Sequence, residues 1–552
     1  MPRRQTRRPL VHVGLAVMLA TPVHGATPPL ADDATIVHVL SRLTWGPRTG
    51  DVATVRALGL PGWIERQLHP ERIEDREIDT RLLRLETIRP TSAQLIEGYD
   101  IPPEAKREIQ RRRAALDEGA TEEQRRTARR ELVAKYAPMM EGSPRQVLTE
   151  LQEAKVLRAI LGERQLDEVL VDFWMNHFNV YAQKGPVRFL LGEHERAIRR
   201  HAWGRFEDLL LATARSPAML FYLDNWLSAS PPTSAVGRGA SAFRRGRFGF
   251  GRPGRDAQGR SAEAQGRRRG LNENYARELM ELHTLGVDGG HTQRDVTQVA
   301  RAFTGWTITG LRQGRPEFAF EERLHDDGDR VVLGRRIEGG GEREGRSIIH
   351  MLATHASTAR FITFKLARRF VADEPPPALV DRAASVFQAT DGSIREVVRT
   401  IVTSPEFLAP EVRSTKIKSP LEFVVSAVRA SGAKVADGRD LARRIADMGT
   451  PLYLQAPPTG YKDTAEAWVS TSGLVARLNF ALDLAAGRVG GVRVDAERLA
   501  SGGPGLTDAL AARLLPSGLS ESTRRTIEGE AAGLETARVA GLILGSPEFQ
   551  RR

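Results

Sequence analysis

Apolar positions along this chain recur mostly at three- and four-residue steps, the period of a helix with one buried face. After Ser143-Pro144, which supplies an N-cap and a first helical residue, Leu148, Leu151, Val156, Leu157 and Ile160 form such a stripe. The spacing predicts a second helix over 166–181, where Leu166, Val169, Leu170, Phe173 and Trp174 share one broad arc with Phe178 and Tyr181. His177 falls inside that arc, while Asp172, Asn176 and Asn179 lie opposite or at its edge. A third helix is predicted over 272–286, with Tyr275, Ala276, Leu279, Met280 and Leu282 on one side, His283 near its middle and Glu278 at its boundary.

Breaks in the pattern divide the chain. Residues 35–227 read as an N-terminal helical part of the core, 271–372 as a central motif region and 376–552 as a C-terminal helical region. Between the first two, residues 228–270 are Ser, Pro, Gly and Arg with interleaved Phe, a composition that predicts a disordered insert. Residues 103–136 are rich in Arg, Glu and Ala and predict a charged, solvated helical hairpin. Residues 318–337 alternate loosely and predict a small β-hairpin turning at His325-Asp326-Asp327-Gly328-Asp329. Ser-Pro recurs at 143, 216, 404 and 546, each a place for a helix to start. The fold class that follows is mainly α: a large irregular helical array with one small β-hairpin and an Arg/Gly-rich disordered insert.

Composition narrows the chemistry. The chain has no cysteine, which removes disulfides, zinc–thiolate sites and cysteine nucleophiles. Arg3, Arg4, Arg7 and Arg8 precede an apolar run from Leu10 to Val23 and small residues Gly25 and Ala26, so residues 1–25 read as a signal peptide and the mature chain as periplasmic or secreted. No other stretch is long and apolar enough to span a bilayer. The net charge of +12 resides in the four leader arginines and in residues 237–269, where ten arginines face two acids. The remainder is neutral, and a nucleic-acid partner, which needs a basic folded face, is not expected.

Two histidines inside apolar stripes need polar partners, because burial without one is costly. His177, His283 and the boundary acid Glu278 form the candidate site. Such a set suits a general acid/base pair, or a divalent metal as cofactor with open positions. The competing reading is two satisfied core histidines, since neither helix carries a recognised metal-ligand spacing. The loop at 325–329 clusters oxygen ligands but lacks EF-hand spacing, and reads as a polar hairpin tip. Asp224-Asn225-Trp226 either lines a pocket or caps a helix. There is no Gly-x-Ser-x-Gly elbow and no Walker loop.

Five segments together resemble one bacterial family, that of domain of unknown function 1800. They are Leu40 to Pro47, Phe173 to Phe178, Ser216 to Asn225, Asn272 to Gly286 and Ala300 to Trp306, in a match running from about 36 to about 485. The resemblance implies an exported, mostly helical protein. It also implies a second exported protein, similar to sulfatases and alkaline phosphatases, as a partner through gene neighbourhood. His177, His201, Asn272, Asn274, Arg277, Glu278, Glu281 and His283 fall in family motifs, without assigned roles. The chain departs from the family pattern in its insert, in His291 and in the partly matching stretch Pro457-Pro458-Thr459-Gly460-Tyr461. Two functions remain open at this level: an envelope enzyme acting on a polymer or glycan, and a non-catalytic assembly or binding partner.

Overall fold

A computed structural model describes residues 31–102, 104–108, 111, 121–136, 140–230, 270–495, 498–499, 505–531 and 535–552. The leader, nearly all of the insert and the middle of the charged hairpin lie outside the described residues. Among the described residues the protein is mainly α, with strands confined to three two-stranded ribbons. Among the described residues, no helix is long and apolar enough to cross a membrane.

Helix starts follow the side chains the sequence offers. Ser143 accepts from the Gln146 N–H at the head of the Pro144–Leu161 helix, and Asn272 accepts from the Tyr275 N–H at the head of the Glu273–Glu281 helix. Ser404 does the same for Phe407. Ser216 does not cap: its hydroxyl bonds to His194 Nδ1 at 2.9 Å instead.

Helix ends depart from the periodicity. The helix predicted over 166–181 is Gln165–His177, so His177 is its last residue and Phe178 its C-cap. The helix predicted over 272–286 stops at Glu281, where Thr284 Oγ1 donates to the carbonyls of Leu279 and Met280. His283 therefore lies beyond its helix, although it is buried as expected. Gly286, at φ 83°, turns the chain beneath Phe361.

The single predicted hairpin is replaced by a different pairing. Strand β1 (Trp306–Thr309) pairs antiparallel with β2 (Glu317–Phe320). Strand β3 (Arg330–Val332) pairs with β4 (Arg335–Ile337) through a two-residue turn in which Leu333 and Gly334 both have positive φ, the handedness that tight hairpins require. A third ribbon joins β5 (Lys434–Val435) to β6 (Val492–Arg493). In the loop at 325–329, Asp327, Gly328 and Asp329 are exposed, but His325 and Asp326 are buried. His325 bonds to Thr304 O and Glu344, and Asp326 holds Arg301 in a bidentate pair. Asp329, the next acid but one, accepts from the Gly339 N–H and pairs with Arg336.

One hydrophobic core runs from Ile36 to Phe549 and joins all three helical regions. Ser228 and Gly270 lie side by side as a parallel bridge, with the Ala229 N–H donating to Gly270 O, so the described residues on either side of 231–269 meet in space. Asn225 is fully buried and donates to the carbonyls of Phe303 and Trp306, so that it ties segments together.

Candidate functional site

A cavity of about 430 Å³ opens beside the C-terminal end of the Gln165–His177 helix. Its other walls are the Ala356–Phe370 helix, the first turn of the Pro420–Ala430 helix and the segment 450–468.

His177 stands on its wall, packed edge-on between Trp174 and Phe178. Its Nε2–H donates to the His283 carbonyl at 3.2 Å. A carbonyl only accepts, so Nδ1 carries the lone pair. That lone pair accepts from Lys365 Nζ at 2.8 Å. Burial pushes the imidazole pKa well below its ordinary value, and the Lys365 charge and His283 add to the effect. The ring is therefore neutral at physiological pH.

Lys365 belongs to the Ala356–Phe370 helix and lines the cavity. Among the described residues no carboxylate lies within ion-pair distance of it. Burial, reinforced by Arg368 and opposed by Asp463, lowers its pKa from 10.5 to about 8. An amine with that value is mostly ammonium at physiological pH but keeps a neutral fraction that grows as pH rises through 8. Once neutral, it can donate one hydrogen to Nδ1 and still present its lone pair to the cavity.

The three side chains predicted from sequence separate here. The ring of His283 is 6.1 Å from that of His177, centroid to centroid, and does not line the cavity. What it contributes is its main-chain carbonyl. Burial, then Lys365 and His194, push its pKa down to about 3, and its Nε2 is buried without a hydrogen-bond partner. Glu278 is half-buried away from the cavity, beside Tyr222; burial and Glu281 raise its carboxyl pKa while Arg277 opposes them. The expectation that His177, His283 and Glu278 share a metal is not met. Both ring nitrogens of His177 are engaged, one of them by an ammonium-bearing side chain. Among the described residues, no three His, Asp or Glu side chains are placed to hold a metal ion. Of the other residues in family motifs, Asn272 is a cap, Arg277 and Glu281 pair at 3.3 Å, and His201 ends the Val187–His201 helix.

The residues flanking His177 have a different task. Asn176 donates to Tyr461 O at 2.8 Å and accepts from the Tyr461 N–H at 2.7 Å. Asn179 donates to Gln455 O and Pro457 O. Together they sew the proline-rich strap 455–461 across the cavity. A Cβ on Gly460, which has φ 68°, would meet Asn176 O at 2.3 Å, so only glycine allows this approach. Opposite the strap, Lys155 and Asp172 pair at 2.5 Å, and Lys155 sits over the Tyr453 ring. Tyr453 adopts φ 63°, held by the bond from the Ala182 N–H to its carbonyl and by its own hydroxyl donating to Glu195. Backbone strain of that kind concentrates at working sites.

Lys365 is the residue that sequence reasoning missed. Its one signal was a lysine between Ile362 and Leu366, on the apolar side of its helix. A family model described as protein of unknown function (DUF1800) matches residues 38–551, nearly the whole chain and further than the motifs alone reach. No curated protein and no solved structure matches.

Proposed function

We propose, for a chain that belongs to the DUF1800 family, that the cavity at His177 is a working site in which Lys365 exchanges a proton with a bound ligand. The observation that carries this reading is the Lys365–His177 bond on the cavity wall. His177 is fixed by the His283 carbonyl and offers a lone pair, so it orients the amine without protonating. The neutral amine takes a proton from a ligand group, and the resulting ammonium returns it to a leaving group. General base work of this kind contributes about 10²–10⁴-fold to a rate. In this reading the protein is an exported cell-envelope enzyme whose ligand is a polymer or glycan. The basic-then-apolar leader supports export, and a cavity of about 430 Å³ has room for part of a chain-like ligand.

Competitive acetylation of the native protein across pH 6–11, followed peptide by peptide, reads the titration of each lysine. Lys365 is expected to reach half-labelling near pH 8, and a glycan-cleaving activity found with envelope polymers is expected to rise through the same pH. Lys365→Arg should lower that activity by about 10²-fold or more. A half-point near 10.5, or no labelling of Lys365 at all, overturns the reading and leaves a non-catalytic binding body.

A further inference from the structure

Behind the cavity, cations outnumber acids in the protein interior. Arg42, Arg369, Lys416, Lys418, Arg477 and Arg552 are all buried, each less than a tenth exposed. The carboxylates within reach of them are Glu422, Asp463 and Asp373. Glu422 holds Arg369 at 2.5 Å and Arg552 at 3.0 Å; Lys416 meets Asp373 at 2.6 Å and Asp463 at 3.6 Å. The other three basic side chains are held by neutral groups; Arg42 and Arg477 stay charged, while burial lowers the Lys418 pKa to about 7 and leaves its amine about half charged at neutral pH. Arg42 donates to Val412 O and Thr415, Arg477 donates to Gln550 and two carbonyls, and Lys418 sits over the Phe549 ring at 3.7 Å. Buried charge without a counter-charge is costly, and a low-dielectric wall focuses its field into the adjoining space.

That space is the cavity. Arg369 lines it, and its Nε is a buried donor without a partner. Lys365, also lining it, is a cation with no carboxylate of its own. Two buried polar atoms on the same wall, Asp463 Oδ2 and Thr464 Oγ1, likewise have no hydrogen-bond partner. These atoms suit hydroxyl groups, since a carboxylate oxygen accepts and a threonine hydroxyl both donates and accepts. Tyr461 and Trp468, with ring centroids 6.3 Å apart, complete that side with aromatic surface.

Resting on the reading of this cavity as a working site, we propose that its ligand is an acidic saccharide. Its anionic group is drawn to Arg369 and Lys365, and its hydroxyls meet Asp463 and Thr464. The anionic group is a carboxylate, a sulfate or a phosphate, all of which guanidinium and ammonium groups bind.

Calorimetric titration of the full chain with three sets of probes tests this. They are a uronate hexasaccharide, its carboxyl-reduced neutral counterpart, and sulfated or phosphorylated hexoses beside the free inorganic ions. At least one acidic saccharide is expected to bind ten-fold or more tightly than the neutral hexasaccharide, with the margin shrinking as salt rises. Which acidic probe binds identifies the anionic group. Lys365→Gln should reduce that margin, whereas Lys365→Arg, which keeps the charge and removes the base, should preserve it. The variant pair separates this inference from the proton-exchange reading, which is read by the titration of Lys365 itself. Equal affinity for acidic and neutral saccharides overturns the proposal. So does binding of none of them, or binding of free sulfate or phosphate as tight as that of any saccharide.

Discussion

At the residue scale, the interior is populated by imidazoles that must stay neutral. His38 and His194 are buried, and burial pushes each pKa from 6.5 to about 4, with Arg42 adding to the effect on His38. His38 Nε2 bonds to Phe407 O while its Nδ1 is buried without a partner, and both nitrogens of His194 are bonded, to Phe178 O and Ser216. The folded protein keeps these rings neutral, while the unfolded chain protonates them below about 6.5. Their contribution is therefore complete above 6.5 and is lost as pH falls towards 4. At pH 5 each histidine should cost about 2 kcal/mol relative to pH 7.5. Thermal unfolding is expected to drop steeply between those pH values, and His194→Gln should flatten that slope. Lys365 acts with the same sign in another window. Its folded pKa is below 10.5, so this one group adds stability as pH rises from about 8 towards 10.5.

At the scale of elements, the site depends on a strap and a helix end locked to each other. Asn179→Ala removes the donor of two carbonyl groups and should cost about 1–3 kcal/mol. Amide exchange is expected to accelerate in residues 454–461 before it does in the Gln165–His177 helix. Gly460→Ala should produce the same local opening, because its Cβ would collide with Asn176 O at a φ that side chains avoid. Equal exchange rates in both variants and the parent would mean that the strap is held by something other than these asparagines. Periodicity placed His177 and His283 inside the protein, and both are buried, at 2% and 4% exposure. It did not place the helix ends. Those are set by Thr284 and by tertiary bonds from 455–461, neither of which leaves a mark in a hydrophobic stripe.

At the scale of the whole molecule, Glu422 joins distant parts of the chain. It completes the capping box of its own helix with Ser419, and it bridges Arg369 and Arg552. Burial alone would raise its pKa, but the two guanidinium groups hold it well below the carboxylate range. Glu422→Gln keeps the capping geometry and removes the charge, so chemical denaturation should report a loss of about 3–5 kcal/mol. A loss under 1 kcal/mol would show that the buried cations are balanced elsewhere. The mainly helical class, the cap at Ser143, the absence of cysteine chemistry and the inward histidines were all determined by the sequence itself. These are local matters of period, cap and composition, and each is decided within a few residues. Tertiary structure alone decided that His177 meets Lys365 across 188 positions, that His283 serves through its carbonyl, and that Glu278 stands apart. It also decided that 318–320 pairs backwards with β1. Such outcomes depend on which elements pack against each other, and a lysine's partner or a carbonyl's direction is set by that packing, not by its neighbours in the chain.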